Sequence, residues 1–261
     1  MIKLLKETKT YLLYFKYNFL LFKRNFLFKP KDIGVVEKFK KKNKIVICGN
    51  GPSYNIFEKE HINGQYREYD ILMLNYGALE TKLKINFHVF ELPRSKKKSL
   101  DYINKLENTS SDVCKIFRPR TNEHLSQIKK RKLQNIYILK EKRIRQQNST
   151  VLYKDLKQFK SNNVLFCRSS IVYATLFALR LGYKEILYTG INPNINTSWC
   201  SNAHGSKEYH INRATNNNEV HATFKKVGGS NSYDVLKLIS NFKLFKKNIF
   251  KIDSNSYDFL S

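Results

Sequence analysis

Residues 49–53, Gly-Asn-Gly-Pro-Ser, have the composition of a turn that binds an anion. They follow residues 45–48, a short apolar run of the kind that forms a strand buried on both faces. The two glycines allow a sharp turn, and the Pro-Ser pair is typical of a helix start. Strand, glycine turn and helix start together point backbone N–H groups at a phosphate or carboxylate. An ordinary tight turn is the alternative, because the third glycine of the dinucleotide-binding fingerprint is missing.

Two further polar clusters stand at the ends of predicted strands. Asn75 closes the run at residues 70–75, and residues 189–192 close the run at 184–192. Ligands of open α/β sheets bind at the carboxyl ends of the strands. We therefore predict that these two clusters share one ligand-binding edge with the turn at 49–53.

Short apolar runs alternate with helical patterns after residue 44, which indicates an α/β domain with a largely parallel sheet. A helix is predicted from Ser169 or Ser170, either of which serves as its cap, to Gly182, and another over residues 232–245. The other predicted strands are residues 85–92, 113–117, 162–167 and 248–253.

Two polar stretches interrupt this alternation. Residues 123–146 are strongly basic, and we predict an exposed face or loop, with nucleic-acid contact as the alternative. Residues 193–232 are rich in Asn, Ser and Thr and contain His204, His210 and His221. A polar stretch of this length is either disordered or a functional lid.

The charge of the chain identifies a class of partner. The 48 Lys and Arg residues against 21 Asp and Glu give a formal net charge of +27. Such an excess concentrates nucleic acid, acidic lipid, nucleotide-sugars or acidic glycans near the protein without choosing among them. No nucleic-acid-binding motif accompanies the charge, so nucleic acid is the weaker candidate.

Residues 1–43 differ from the rest because lysines interrupt a run of aromatic and aliphatic residues. The interruptions argue against a membrane-spanning helix, and no small-residue cleavage site suggests a signal peptide. We predict a basic, amphipathic helix that lies on an anionic membrane surface. A terminal helix that packs on its own domain or on a partner is the alternative.

The four cysteines show neither metal-site spacing nor a C-x-x-C pair. They are Cys48, Cys114, Cys167 and Cys200. Cys48 and Cys167 end apolar runs, so we expect both to be buried thiols, and we expect a reducing, cytoplasmic setting.

Three stretches resemble the bacterial sialyltransferases of glycosyltransferase family 42, which use CMP-activated sialic acid. IVICGNGPS is similar to the family's opening strand and phosphate-side turn, and YDILMLN to its second strand with a nucleotide-binding asparagine. CRSSIVYATLFALRLGYKEILYTGIN resembles its Arg-(Ser/Thr)-Ser helix and the Gly-Ile-Asp turn that follows. The resemblance covers approximately residues 44–240. It implies a Rossmann-like, mostly parallel sheet flanked by helices, forming one nucleotide-sugar-binding domain over residues 44–261 with a lid at 193–232.

The resemblance implies a CMP-linked donor substrate, no metal and no further cofactor. Ser169 and Ser170 would meet the donor's carboxylate or phosphate from a helix N-terminus, which favours anions. Arg168 matches the family's arginine and would bind an acidic group or brace the site. By position, the residues implied for donor binding are Gly49, Asn50, Gly51, Ser53, Asn75, Ser169, Ser170, Thr189, Gly190, Ile191 and Asn192.

The family uses one histidine, shortly before a helix, to take the proton from the acceptor hydroxyl. Imidazole suits this role because its ordinary pKa of about 6.5 lies near working pH. His221 matches best by position, with His204 and His210 as rivals in the same stretch. The match needs a longer loop than the family has, and an ungapped alignment places Gly229 there and predicts an inactive site.

Two departures from the family pattern affect the expected substrate. Tyrosines that hydrogen-bond the departing phosphate should follow the Gly-Ile-Asp turn, but the first tyrosine here is Tyr209, so Tyr209 or a lysine would replace them. Leu92 stands where an asparagine is expected, next to Glu91. Both departures would fit a nonulosonic acid other than sialic acid.

The leading hypothesis is an inverting, metal-independent transferase at the inner face of the plasma membrane. It would move sialic acid or a related nonulosonic acid from CMP to an acceptor sugar of lipooligosaccharide or capsule. A decayed transferase that still binds CMP is one alternative, and a basic nucleic-acid-binding protein is another. Related enzymes often form tetramers, so a homo-oligomer is among the partners to test.

Overall fold

The computed structural model describes residues 29–51, 53–119, 121–131, 133–144, 149–157, 163–166, 169–191 and 232–254. Its strands are β1 (Lys44–Cys48), β2 (Tyr69–Leu74), β3 (Phe87–Phe90), β4 (Cys114–Phe117), β5 (Ile136–Tyr137), β6 (Glu141–Arg143), β7 (Val164–Phe166), β8 (Glu185–Thr189) and β9 (Ile249–Ile252). Its α-helices are α1 (Tyr54–Ile62), α2 (Lys96–Glu107), α3 (Asn122–Lys129), α4 (Ser149–Leu156), α5 (Ser170–Arg180) and α6 (Ser232–Ser240).

The main sheet has seven strands in the order β5-β4-β3-β2-β1-β8-β9, and each neighbouring pair is parallel. From β1 the chain builds one side of the sheet through β5, and it later returns to add β8 and β9 on the other side. The strand order therefore reverses between β1 and β8, which is the position where doubly wound sheets bind ligands. This architecture confirms the predicted α/β fold with a mostly parallel sheet.

Alternate side chains of the central strands face two separate cores, as expected for strands buried on both faces. Ile45 and Ile47 pack in a core with α5 and α6, whereas Val46 and Cys48 pack in another with α1. A third core joins α2 and α3 to the ends of β3 and β4. Helices therefore cover both faces of the sheet.

Helix α5 runs against the sheet and is the most completely buried helix, with apolar side chains on all sides. Its C-terminal end lies at the amino edge of the sheet, where Lys40 Nζ donates hydrogen bonds to the carbonyl oxygens of Leu181 and Gly182 at 3.0 and 3.2 Å. Gly182 has a φ of 74°, the left-handed conformation of a helix-ending glycine, so the predicted helix end is confirmed. Because the helix runs antiparallel to β8, its first residues lie at the carboxyl edge.

Three predictions of secondary structure need correction. The basic stretch at 123–146 was expected to be an exposed face or loop, but it contains α3, β5 and β6, and it buries Leu125 and Ile128. The strand predicted at 162–167 exists as β7, but it pairs with β6 in a separate two-stranded sheet. The helix predicted over 232–245 ends at Ser240, and a short 3₁₀ helix, Lys243–Phe245, follows.

Residues 1–28 of the predicted basic N-terminal segment and all but the last residue of the predicted lid lie outside the described residues. The rest of that segment, residues 29–43, is described: it contains the 3₁₀ helix Ile33–Phe39, which buries Ile33, Val36 and Phe39 in the core of the domain. Within the described ranges, none of the helices is long and apolar enough to cross a membrane.

Candidate nucleotide-binding site

The ends of β1 and β8 are joined through their backbones at the point where the strand order reverses. Gly49 N donates to the carbonyl oxygen of Thr189 at 2.8 Å, and Gly51 N donates to that of Gly190 at 2.7 Å. A Cβ atom on either Gly49 or Gly190 would overlap the carbonyl oxygen of the other, and Gly190 also has a φ of 67°. The glycines are thus required for the close approach of two backbones.

These bonds correct one part of the expectation for the turn at 49–53. The N–H groups of Gly49 and Gly51 are engaged by the end of β8, so these two donors do not face an anion. Asn50, between them, is half-buried. A sequence alone does not distinguish an amide that faces a ligand from one that pairs with a neighbouring strand.

Ser53 stabilises the same junction instead of capping α1. Its Oγ accepts a hydrogen bond from Gly190 N at 3.0 Å, and it makes no side-chain capping bond at the helix start. Its side chain is buried, so it stabilises the backbone of Gly190 from below the crevice between the ends of β1 and β8.

Thr189 takes part in the junction between β1 and β8 through its backbone carbonyl, because its side chain points into the protein. Thr189 Oγ1 donates to Asp253 Oδ2 at 3.0 Å, and both residues are buried. Asp253 N in turn donates to the carbonyl oxygen of Tyr188 at 2.9 Å, extending β9 beside β8. Sequence reasoning missed Asp253, although its place directly after an apolar run at the chain's last predicted strand is a usable signal.

Three polar side chains at the carboxyl edge make no hydrogen bond with the described part of the chain. They belong to Asn75, which follows β2, and to Ser169 and Ser170, which begin α5. The Asn75 side chain is half-buried, and Ser169 occupies the cap position of α5 without a side-chain capping bond. Helix α5 lies on one face of the sheet and α1 on the other, so Ser169 and Ser170 approach the edge from the face opposite α1.

A buried ion-pair cluster ties the first turn of α5 to the ends of β3 and β4. Arg118, directly after β4, lies with Nη1 2.9 Å from Glu91 Oε1 and Nε 3.7 Å from Glu141 Oε1. Its Cζ lies 4.3 Å from the ring centroid of Tyr173, whose N–H donates to the carbonyl oxygen of Ser169. The sequence showed no sign of this cluster, because its members come from four separate elements.

Cys48 ends β1 close to the site but has no nucleophilic character. Burial raises the pKa of its thiol well above the usual range, and the carboxylates of Glu58 and Asp253 act in the same direction. A protonated, buried thiol is inert. The predicted burial of Cys48 is confirmed, Cys114 is also buried and free, and Cys167 lies outside the described residues.

The remaining predicted site residues fall outside the described part of the chain or add only apolar surface. Ile191 is buried beside Gly190. The described residues contain no group of three or more His, Cys, Asp or Glu placed to hold a metal ion. The predicted residues that lie outside the described ranges are Arg168, Asn192, His204, Tyr209 and His221.

No protein-family model matches the chain, and no curated protein sequence matches it significantly. Among solved structures, it is similar to the monofunctional alpha-2,3-sialyltransferase Cst-I from Campylobacter jejuni, with 21% identity and a TM-score of 0.45 over 83% of this chain and 78% of that one. It is also similar to the sialyltransferase CstII from the same organism, solved with cytidine-5'-monophosphate, with 18% identity and a TM-score of 0.42 over 82% of this chain and 81% of that one.

Proposed function

We propose that this protein is a glycosyltransferase that moves sialic acid, or a related nonulosonic acid, from a CMP-linked donor to a hydroxyl of an acceptor sugar. The observation that carries the proposal is the position of three polar side chains that make no hydrogen bond within the described part of the chain. The Asn75 amide and the hydroxyls of Ser169 and Ser170 lie at the carboxyl edge of a sheet whose strand order reverses between β1 and β8. Such an edge suits a nucleotide, and the motif resemblance supplies the kind of nucleotide.

The donor's two anionic groups suit the start of α5. The N–H groups of a helix's first turn have no partner within the helix, and the helix dipole adds positive potential there. Ser169 and Ser170 add two hydroxyl donors at the same place. We assign the phosphate or carboxylate of the donor to this helix start, and the cytidine to Asn50, Gly51 and Asn75.

In the proposed reaction the acceptor hydroxyl oxygen attacks the anomeric carbon from the face opposite CMP. The new C–O bond forms as the bond to the phosphate oxygen breaks, so the configuration inverts and CMP leaves with the bonding electron pair. His221 takes the hydroxyl proton as general base. Arg168 and Tyr209 are the proposed donors that stabilise the charge growing on the departing phosphate.

Mass spectrometry of transfer reactions tests this function. Purified protein is incubated with a panel of CMP-linked nonulosonic acids and galactose-terminated acceptors, and the glycosylated product is quantified. His221→Ala should reduce turnover at least about a hundredfold while CMP binding persists, because general-base catalysis contributes about 10² to 10⁴ in rate. His204→Ala and His210→Ala are the matched controls and should retain turnover.

Two outcomes would contradict the proposal in different ways. A wild-type protein that binds CMP but transfers no sugar from any donor is the decayed transferase. Full activity in His221→Ala, with loss in His204→Ala or His210→Ala, would keep the transferase and move the base to that histidine.

The same proposal includes a membrane surface as partner. Residues 1–43 would hold the enzyme at the inner face of the plasma membrane, near lipid-linked acceptors for lipooligosaccharide or capsule. Flotation with vesicles should show binding to anionic vesicles and none to neutral ones. A variant lacking residues 1–28, which keeps the core residues Ile33, Val36 and Phe39, should lose this binding. Salt-sensitive binding to mixed DNA by both forms, with no vesicle binding, would favour the nucleic-acid alternative.

A further inference from the structure

A buried histidine outside the predicted site contacts the backbone of a predicted site residue. His88 lies on β3, and its side chain is buried. Its Nε2 lies 2.7 Å from the carbonyl oxygen of Asn75 and 2.9 Å from the hydroxyl oxygen of Tyr102 on α2. His88 therefore connects α2 to the residue that directly follows β2.

Asn75 needs such a contact because its backbone is in an unfavourable conformation. Its φ is 49°, in the left-handed region, which asparagine tolerates better than most residues but still at a cost. The 3₁₀ helix Asn75–Leu79 begins here, so this one residue sets the direction in which the chain leaves the sheet. The half-buried Asn75 side chain depends on that backbone for its orientation.

The proton on the His88 ring can be assigned from its two contacts. A carbonyl oxygen only accepts hydrogen bonds, so Nε2 must carry the hydrogen that it donates to Asn75. Burial lowers the pKa of His88 to about 3. The hydrogen bond to the Asn75 carbonyl opposes this effect in part, and the Lys115 ammonium adds a smaller lowering. The ring is thus neutral with its single hydrogen on Nε2, and Tyr102 fixes the plane of the ring.

We propose that His88 is a positioning residue for the nucleotide: its Nε2–H group holds the left-handed backbone of Asn75 and thereby orients the Asn75 amide toward the cytidine. This inference rests on the proposed function, because it requires that Asn75 contact CMP. His88 itself touches neither donor nor acceptor.

A double-mutant cycle on CMP binding tests this role. Asn75→Gly removes the amide but accepts the same φ, and it should weaken CMP binding about tenfold, as the loss of one well-made hydrogen bond does. His88→Leu should weaken binding several-fold. His88→Gln, which places an N–H near the position of Nε2, should stay within about twofold of wild type. In the Asn75→Gly background, His88→Leu should have no further effect, because its influence passes through the amide already removed.

Tyr183→Phe is the matched control for stability. It removes a buried hydroxyl that donates to Asp70 Oδ2 at the opposite edge of the sheet, and it should lower the melting temperature without changing CMP affinity. If His88→Leu does not fold, Tyr102→Phe releases the same ring and enters the same cycle.

Calorimetric titration with CMP separates the outcomes. Equal affinity in wild type and His88→Leu, or additive losses in the double variant, would overturn the positioning role and leave the proposed function intact. No CMP binding by the wild-type protein would overturn the proposed function, and this inference with it.

Discussion

Replacing Arg118 by Met should destabilise the fold strongly, because it removes a cation that contacts two buried carboxylates. The Glu91 and Glu141 side chains are 12% and 2% exposed, and within the described residues Arg118 contacts both. Methionine preserves much of the apolar stem, so the change isolates the charge. Breaking a buried ion pair by removing one partner costs about 3–5 kcal/mol.

The expected loss of stability in Arg118→Met depends on the burial of the ion pair, so an exposed ion pair with the same N–O distance is the matched control. Arg131 Nη1 lies 2.9 Å from Glu107 Oε1, the same distance as in the Arg118–Glu91 pair, but the two side chains are 41% and 37% exposed. Arg131→Met should therefore cost no more than about 1 kcal/mol. Urea unfolding followed by circular dichroism gives both values, and Arg118→Met should lower the midpoint by about 1–2 M for an m-value near 2.5 kcal/mol per M.

A second substitution at the same cluster gives a further check. Adding Glu141→Gln to Arg118→Met removes one of the two buried negative charges, so the double variant should recover part of the lost stability at pH 7. A cost of Arg118→Met equal to that of Arg131→Met, or no recovery in the double variant, would refute the reasoning.

Three further predictions concern the site. His88 stays neutral in the folded state but titrates near pH 6.5 in the unfolded state, so the free energy of unfolding of the wild type should fall by about 1.4 kcal/mol per pH unit from pH 6.5 toward pH 3. The loss should reach about 2 kcal/mol at pH 5, and it should be absent in His88→Gln. Urea unfolding curves at pH 7 and pH 5 measure both values. Gly190→Ala should cost about 2 kcal/mol or more in urea unfolding, since its φ is 67° and a Cβ would overlap Gly49, whereas Gly34→Ala, in open space, should stay within about 0.5 kcal/mol. Ser169→Ala should weaken the binding of a CMP-linked donor about threefold to tenfold, as measured by calorimetry. The melting temperature should stay constant, because the substitution removes no hydrogen bond to the described part of the chain. A fall in stability with unchanged affinity would contradict the place of Ser169 in the site.

The central strands and the ligand edge could be predicted because their physical cause is local. Residues 45–48 and 71–74 are apolar without alternation, and only a strand covered on both faces buries such a run. The polar residues that end these runs then share one edge by topology. The placement of Gly49, Asn75 and Gly190 at that edge follows from strand direction alone.

The predictions failed where distant residues decide the outcome. In residues 123–146 the many lysines hide an amphipathic helix whose Leu125 and Ile128 occupy a core built largely by α2. The amides of Gly49 and Gly51 were expected to face an anion, but β8 engages them. Arg118 could not be assigned, because the partners of a buried charge are set by the packing of whole elements.

The contact between Gly49 and Gly190 has a consequence for how the protein evolves. A Cβ atom on either glycine would overlap the backbone carbonyl oxygen of the other, and that oxygen is present whatever residue occupies the second position. Each codon is therefore constrained by itself, and a substitution at one cannot be relieved by a substitution at the other. Variation in what this edge of the sheet binds must then arise from the residues around the two glycines.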